Sequence, residues 1–109
     1  MQKELRTYRT KNGKQPFTDW LESLKDTTGR AHINNRLNRI TLGNYGDSTS
    51  VGDGVYELRI HNGPGYRIYF SEQGTTLVLL LLGGSKRTQA KDIKKAKEYC
   101  IDFRERHYD

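Results

Sequence analysis

The sequence predicts a single α+β domain, ordered β-α-α-β-β-β-α, with a mainly antiparallel four-stranded sheet and helices packed on it. Hydrophobic spacing is helical between residues 16 and 42 and alternates between residues 55 and 70. Short Gly-rich links then join the later strands as a meander. The 109 residues fit one domain and leave no room for a second.

Leu5 and Tyr8, with Thr7 and Thr10, predict a first strand over about residues 4–10, ended by Lys11, Asn12 and Gly13. Pro16 suits a first helical turn, and Phe17, Trp20, Leu21 and Leu24 follow at the spacing of one buried helix face. Thr27 or Thr28 caps a second helix, whose stripe is Ile33, Leu37 and Ile40 and whose stop is Gly43. Residues 44–54 are rich in Gly, Asp and Ser and read as a loop, with Gly52-Asp53-Gly54 a turn rather than a nucleotide cradle.

Three strands follow, at Val55 to His61, Tyr66 to Ser71 and Thr75 to Leu82. The last is apolar on both faces and belongs at the centre of the sheet. A final helix begins near Thr88 and buries Ile93, Ala96, Cys100 and Phe103.

Lys and Arg number 19 against 13 Asp and Glu, a net charge of +6 that attracts nucleic acid, acidic membrane or acidic protein. The lone Cys100 forms no internal disulfide and reads as a buried thiol in a reducing compartment. Residues 1–14 lack the apolar segment of a secretory signal, and no run approaches the roughly 18 apolar residues of a membrane helix, so a cytoplasmic location is expected. His32, His61 and His107 are scattered, no carboxylate cluster suggests paired metals, and neither metal nor small-molecule cofactor is expected.

Alternation places Tyr56, Leu58 and Ile60 on one face of their strand and Glu57, Arg59 and His61 on the other; in the next strand Tyr66, Ile68 and Phe70 oppose Arg67, Tyr69 and Ser71. The polar face of each is expected to be wet. A symmetric turn through residues 61–65 pairs Ile60 with Tyr66 and sets Arg59 against Arg67. Like charges directly opposite destabilise a sheet, which points to a bound anion, the plain alternative being an exposed face with Glu57 as counterion. Lys86 and Arg87 follow the central strand and are expected to converge on the same spot.

For RNA, a 2′-hydroxyl attacks the adjacent phosphate, cations stabilise the pentacoordinate transition state, and protons leave one oxygen and reach another. Arginine forks suit the phosphate oxygens. Lys86 and His61 are candidates for proton transfer. Tyr69 is a candidate to stack a base. Lys91, Lys94 and Lys95 of the final helix are either its solvated face or an RNA-docking surface, while Trp20, Tyr45, Tyr56 and Tyr66 read as core.

The run Gly54-Val55-Tyr56-Glu57-Leu58-Arg59-Ile60, then Gly65-Tyr66-Arg67-Ile68-Tyr69-Phe70, then an apolar strand ending in Gly83-Gly84-Ser85-Lys86-Arg87-Thr88-Gln89 before a lysine-rich helix, resembles the RelE/ParE toxin superfamily. More narrowly it is similar to the phage-derived Gp49-like, or HigB-type, addiction module killer proteins, over nearly the whole chain. The resemblance implies a RelE-like fold and a toxin of a type II toxin–antitoxin pair. For the RelE and HigB branches it implies metal-free cleavage of mRNA on the ribosome.

By position it implies that Arg67 acts on the scissile phosphate, that Arg59 supports it, and that Lys86 or Arg87 is the cation after the last strand. It also implies a small antitoxin partner with a helix-turn-helix. Two positions depart from the pattern: RelE carries a lysine where this chain has Glu57 and a tyrosine where it has Ile93. The resemblance therefore assigns no general base, and Asp92 beside Ile93 reads as a helix-start acid. The ParE branch implies a different activity, inhibition of DNA gyrase without bond cleavage. A plain RNA-binding module and a surface that binds only its antitoxin complete the alternatives.

Overall fold

The computed structural model describes residues 2–107. Among these, the elements are β1 (Glu4–Thr7), α1 (Pro16–Ser23), α2 (Thr27–Thr41), β2 (Ser48–Gly52), β3 (Val55–Ile60), β4 (Tyr66–Gln73), β5 (Leu77–Ser85), a 3-10 turn (Lys86–Thr88) and α3 (Gln89–His107). The strands form one sheet in the order β1-β5-β4-β3-β2.

The α+β class is as predicted, but the sheet has five strands rather than four, and it is mixed because β1 runs parallel to β5. The extra strand, β2, falls in the segment read as a loop. Its sequence, Ser-Thr-Ser-Val-Gly, holds one apolar residue, so alternation has nothing to mark; it forms because the chain turns back through Gly52, Asp53 and Gly54, all at positive φ, onto β3. The first strand is shorter than expected. Beyond Tyr8 the chain closes on itself, with Thr10 N–H donating to Lys14 O and Gly13 N–H to Thr10 O, and leaves the sheet.

The sheet is covered on both faces. On one, α1 and α2 bury Phe17, Ile33, Leu37 and Ile40 against Leu58, Ile60, Tyr66, Ile68, Phe70, Val78 and Leu80. On the other, α3 buries Ala96 and Cys100 against Val55, Tyr69, Leu79 and Leu81. Each large aliphatic side chain so sealed contributes about 1.5–3 kcal/mol. β5 lies inside the sheet, between β1 and β4 and one place from its centre, and supplies both cores, as its unbroken apolar run implies. A bulge, with Tyr69 opposite Leu82 but Phe70 opposite Leu80, leaves Leu81 and Leu82 both packed on the α3 side.

Asp26 caps α2, its carboxylate accepting from Gly29 N–H at 2.9 Å, so the cap lies one residue before the predicted Thr27. Asp26 also accepts from the Tyr66 hydroxyl at 2.9 Å, which ties the start of α2 to β4. These two bonds hold the Asp26 carboxyl below the usual carboxylate range. On the same side Trp20 lies over the backbone of β5, where any Cβ at Gly83 would enter the indole ring.

Candidate nucleic-acid interface

The β3–β4 register is the one the turn predicts: Ile60 pairs with Tyr66, and Arg59 stands directly opposite Arg67. On the other flank of β4, Arg67 faces Gly84 of β5. Lys86 N–H then donates to Gly65 O at 2.9 Å, binding the turn after β5 to the β3–β4 hairpin. Three chain segments thus close around a cleft of about 320 Å³ lined by Arg59, His61, Arg67, Lys86 and the hairpin loop.

The face carrying Arg67 is not wet along its length, which corrects the sequence expectation. The α3 helix covers it from Glu57 inward, and Tyr69 is wholly buried and cannot stack a base. Its hydroxyl donates to Glu57 at 3.2 Å, and burial, with the neighbouring Glu57 charge, pushes the phenol pKa up. Glu57 also accepts from Arg67 Nη1 at 2.9 Å and from Gln89 Nε2 at 2.8 Å. Arg67 is therefore anchored by its own counterion, with 12% of its side chain exposed against 2% for Glu57. Close approach of α3 to the sheet here requires Gly84, since a Cβ there would strike the Asp92 carboxylate. Asp92 in turn accepts from the Thr88 hydroxyl and sits in the first turn of α3, as a helix-start acid should.

Nearer the hairpin the face opens. Arg59 donates from Nε and Nη2 to Asp47 Oδ1 at 3.3 and 2.9 Å, and His61 Nε2 lies 2.5 Å from Asp47 Oδ2. Asp47 thus holds two cleft side chains at once. These two hydrogen bonds, His61 first and Arg59 second, keep its carboxyl below the usual range.

Arg36 of α2 braces this corner from below. Its Nη1 donates to Arg59 O at 2.7 Å and its Nη2 to Tyr45 O at 3.2 Å. Gly46, at φ 68° in the left-handed region that favours glycine, lies beside the guanidinium, where a Cβ would stand 2.8 Å from Nη2. Asp47 and Arg36 were not singled out from the sequence. Their contacts to Arg59 and His61 span 12 to 23 residues of chain, and the local sequence offers only a lone acid in the segment Gly43-Asn44-Tyr45-Gly46-Asp47.

Of the other expected site residues, Arg87 is exposed on the 3-10 turn and is not among the residues lining the cleft. Lys91, Lys94 and Lys95 line a separate hollow of about 610 Å³ with Leu82, Glu98 and Tyr99, where Lys95 Nζ sits 5.7 Å from the centre of the Tyr99 ring. Among the described residues no group of three or more His, Cys, Asp or Glu side chains is placed to hold a metal ion. No described helix is long and apolar enough to cross a membrane.

Fold and cleft together define an α+β protein in which a mixed sheet, covered on both faces, opens at one end into a basic cleft. The chain is 53% identical over 81 residues to an uncharacterized protein of Haemophilus influenzae, an alignment covering 74% of this chain and 82% of that one, and it belongs to the same family. No family model matches it.

Proposed function

We propose that the protein is the toxin of a type II toxin–antitoxin pair, of RelE/HigB type, and that it cleaves mRNA on the ribosome in the cytoplasm. The observation that carries this reading is the cleft: Arg59 and Arg67 in register on adjacent strands, with Lys86 drawn beside them through its bond to Gly65. A guanidinium pair with an adjacent ammonium suits a phosphate that gains charge in a pentacoordinate transition state. Anchoring Arg67 on the buried Glu57 supports the same reading, since a cation held by a rigid partner needs no reorganisation when the phosphate arrives. The partner is a small helix-turn-helix antitoxin presenting carboxylates to the cleft.

Purified protein is expected to cut mRNA only when translating ribosomes are present. Arg59→Ala and Lys86→Ala are each expected to slow cutting by roughly 100-fold while the fold persists. Unchanged cutting by both variants, or no cutting by the wild type, contradicts the proposal.

One observation favours a second reading, a ParE-like inhibitor of DNA gyrase that breaks no bond. Both cleft arginines already have carboxylate partners, as befits a surface built for docking. Loss of gyrase supercoiling with intact mRNA selects that reading.

A further inference from the structure

We propose that His61, oriented by Asp47, is the general base of the cleft and accepts the proton of the attacking 2′-hydroxyl. This rests on the ribonuclease reading and supplies one of the proton-transfer roles that the family resemblance leaves unassigned. The geometry carries it in three parts.

First, Asp47 Oδ2 lies 2.5 Å from His61 Nε2, and a carboxylate in that position can only accept. The proton of the neutral ring is therefore on Nε2, and the lone pair is on Nδ1. Asp47 stays ionised because His61 and Arg59 hold its carboxyl below the usual range. A carboxylate–imidazole pair of this kind fixes both tautomer and ring orientation and steadies the imidazolium that forms when a proton arrives.

Second, His61 lines the same cleft as Arg59, Arg67 and Lys86, so a phosphate held by those cations brings its adjacent ribose to the imidazole. Third, the side chain is 75% exposed, on the rim and not in the core, where a ribosome-held strand can reach it.

The step balances as follows. Nδ1 takes the 2′-hydroxyl proton, the 2′-oxygen forms a bond to phosphorus, and the bond from phosphorus to the 5′-oxygen breaks. A 2′,3′-cyclic phosphate remains on one fragment. The departing 5′-oxygen takes a proton from water, and the imidazolium returns its own proton to solvent, so none is gained or lost.

The charged groups around His61 are Asp47 before β2, Arg59 on β3, Arg67 on β4 and Lys86 after β5, with His32, Arg36 and Arg39 of α2 across a second, smaller cleft that His61 also lines. Of these, Asp47 is the acidic group, and Arg59, Arg67, Lys86, Arg36 and Arg39 are the basic ones. Asp47 is thus the group that stabilises the protonated ring, and its role is positioning.

The test is single-turnover cleavage of ribosome-bound mRNA across a pH series, with RNA affinity measured in parallel. His61→Gln is expected to cut about 100-fold more slowly with affinity within threefold of wild type (roughly 0.65 kcal/mol). The pH–rate profile of the wild type is expected to carry a limb that the residual His61→Gln rate lacks. Asp47→Asn is expected to lower the rate about tenfold, and Asp47→Glu to recover part of it. Cutting by His61→Gln within about threefold of wild type overturns the proposal but leaves the ribonuclease reading intact. So does an equal loss of cutting and affinity, which makes His61 a phosphate ligand only. Absence of cutting by the wild type overturns both.

Discussion

Glu57 lies on β3 and His61 one residue past its end, four residues apart, with Arg59 between them. At the Glu57 end α3 covers the face, and the carboxylate, Arg67, Tyr69 and Gln89 form a largely buried hydrogen-bonded network. At the His61 end the same face is open, and Asp47 reaches in from the strand edge to hold Arg59 and His61 beside solvent. The difference is one of roles. The covered end holds Arg67 rigid, while the open end presents side chains that a substrate can meet.

The sharpest way to break this comparison is Arg67→Ala. It removes the cationic partner of the buried Glu57, and a loss of about 3–5 kcal/mol is expected in denaturant unfolding, whereas replacing both partners by apolar residues of similar size should restore most of it. A marginal change for the single variant would mean that the network is not buried. Because the substitution damages the fold, Arg59 and Lys86 are the better probes of cleavage.

Next is Gly84→Ala. The added Cβ meets Asp92 and pushes α3 from the sheet, and about 1–3 kcal/mol should be lost in the same measurement.

Tyrosine titration sharpens the contrast further. Burial and the hydrogen bond to Asp102 push Tyr8 up to about 12, and burial likewise raises Tyr45 and Tyr69. In each case the folded value exceeds the unfolded one. The stability linked to these phenols is therefore whole below about pH 10 and lost as pH rises through the folded values. Ultraviolet titration should show Tyr8, Tyr45 and Tyr69 ionising only as the fold is lost.

The smallest effect is expected at the open end. Asp47 has a depressed folded value, so its contribution is present above the ordinary carboxylate range and disappears as pH falls through that lower value. Being exposed, Asp47→Asn should barely move the thermal midpoint at neutral pH. A large drop would show that the corner is structural and not a site.

How much of this was legible in the sequence depended on how local its cause was. The Arg59–Arg67 register follows from Asn62-Gly63-Pro64-Gly65 and the alternation on either side, and both were readable. The two-faced burial of β5 was readable from its unbroken apolar run. Alternation names which side chains share a face but not whether a helix lies on that face. Hence alternation puts Tyr69 on a wet face and offers Glu57 as a counterion only in the plain alternative of an exposed face, whereas α3, docked through Ala96 and Cys100 and close over Gly84, encloses both. The edge strand β2 was invisible for lack of apolar residues, and Asp47 because its partners lie twelve and fourteen residues away.

The most direct test of the cleft as a site of RNA cleavage is induced expression in bacteria with mapping of mRNA 5′ ends. Wild-type protein should produce new ends inside coding regions within minutes, and the Arg59→Ala, Lys86→Ala double variant, folded to the same extent, should not. Growth arrest with intact messages, or identical ends from both proteins, would contradict the account.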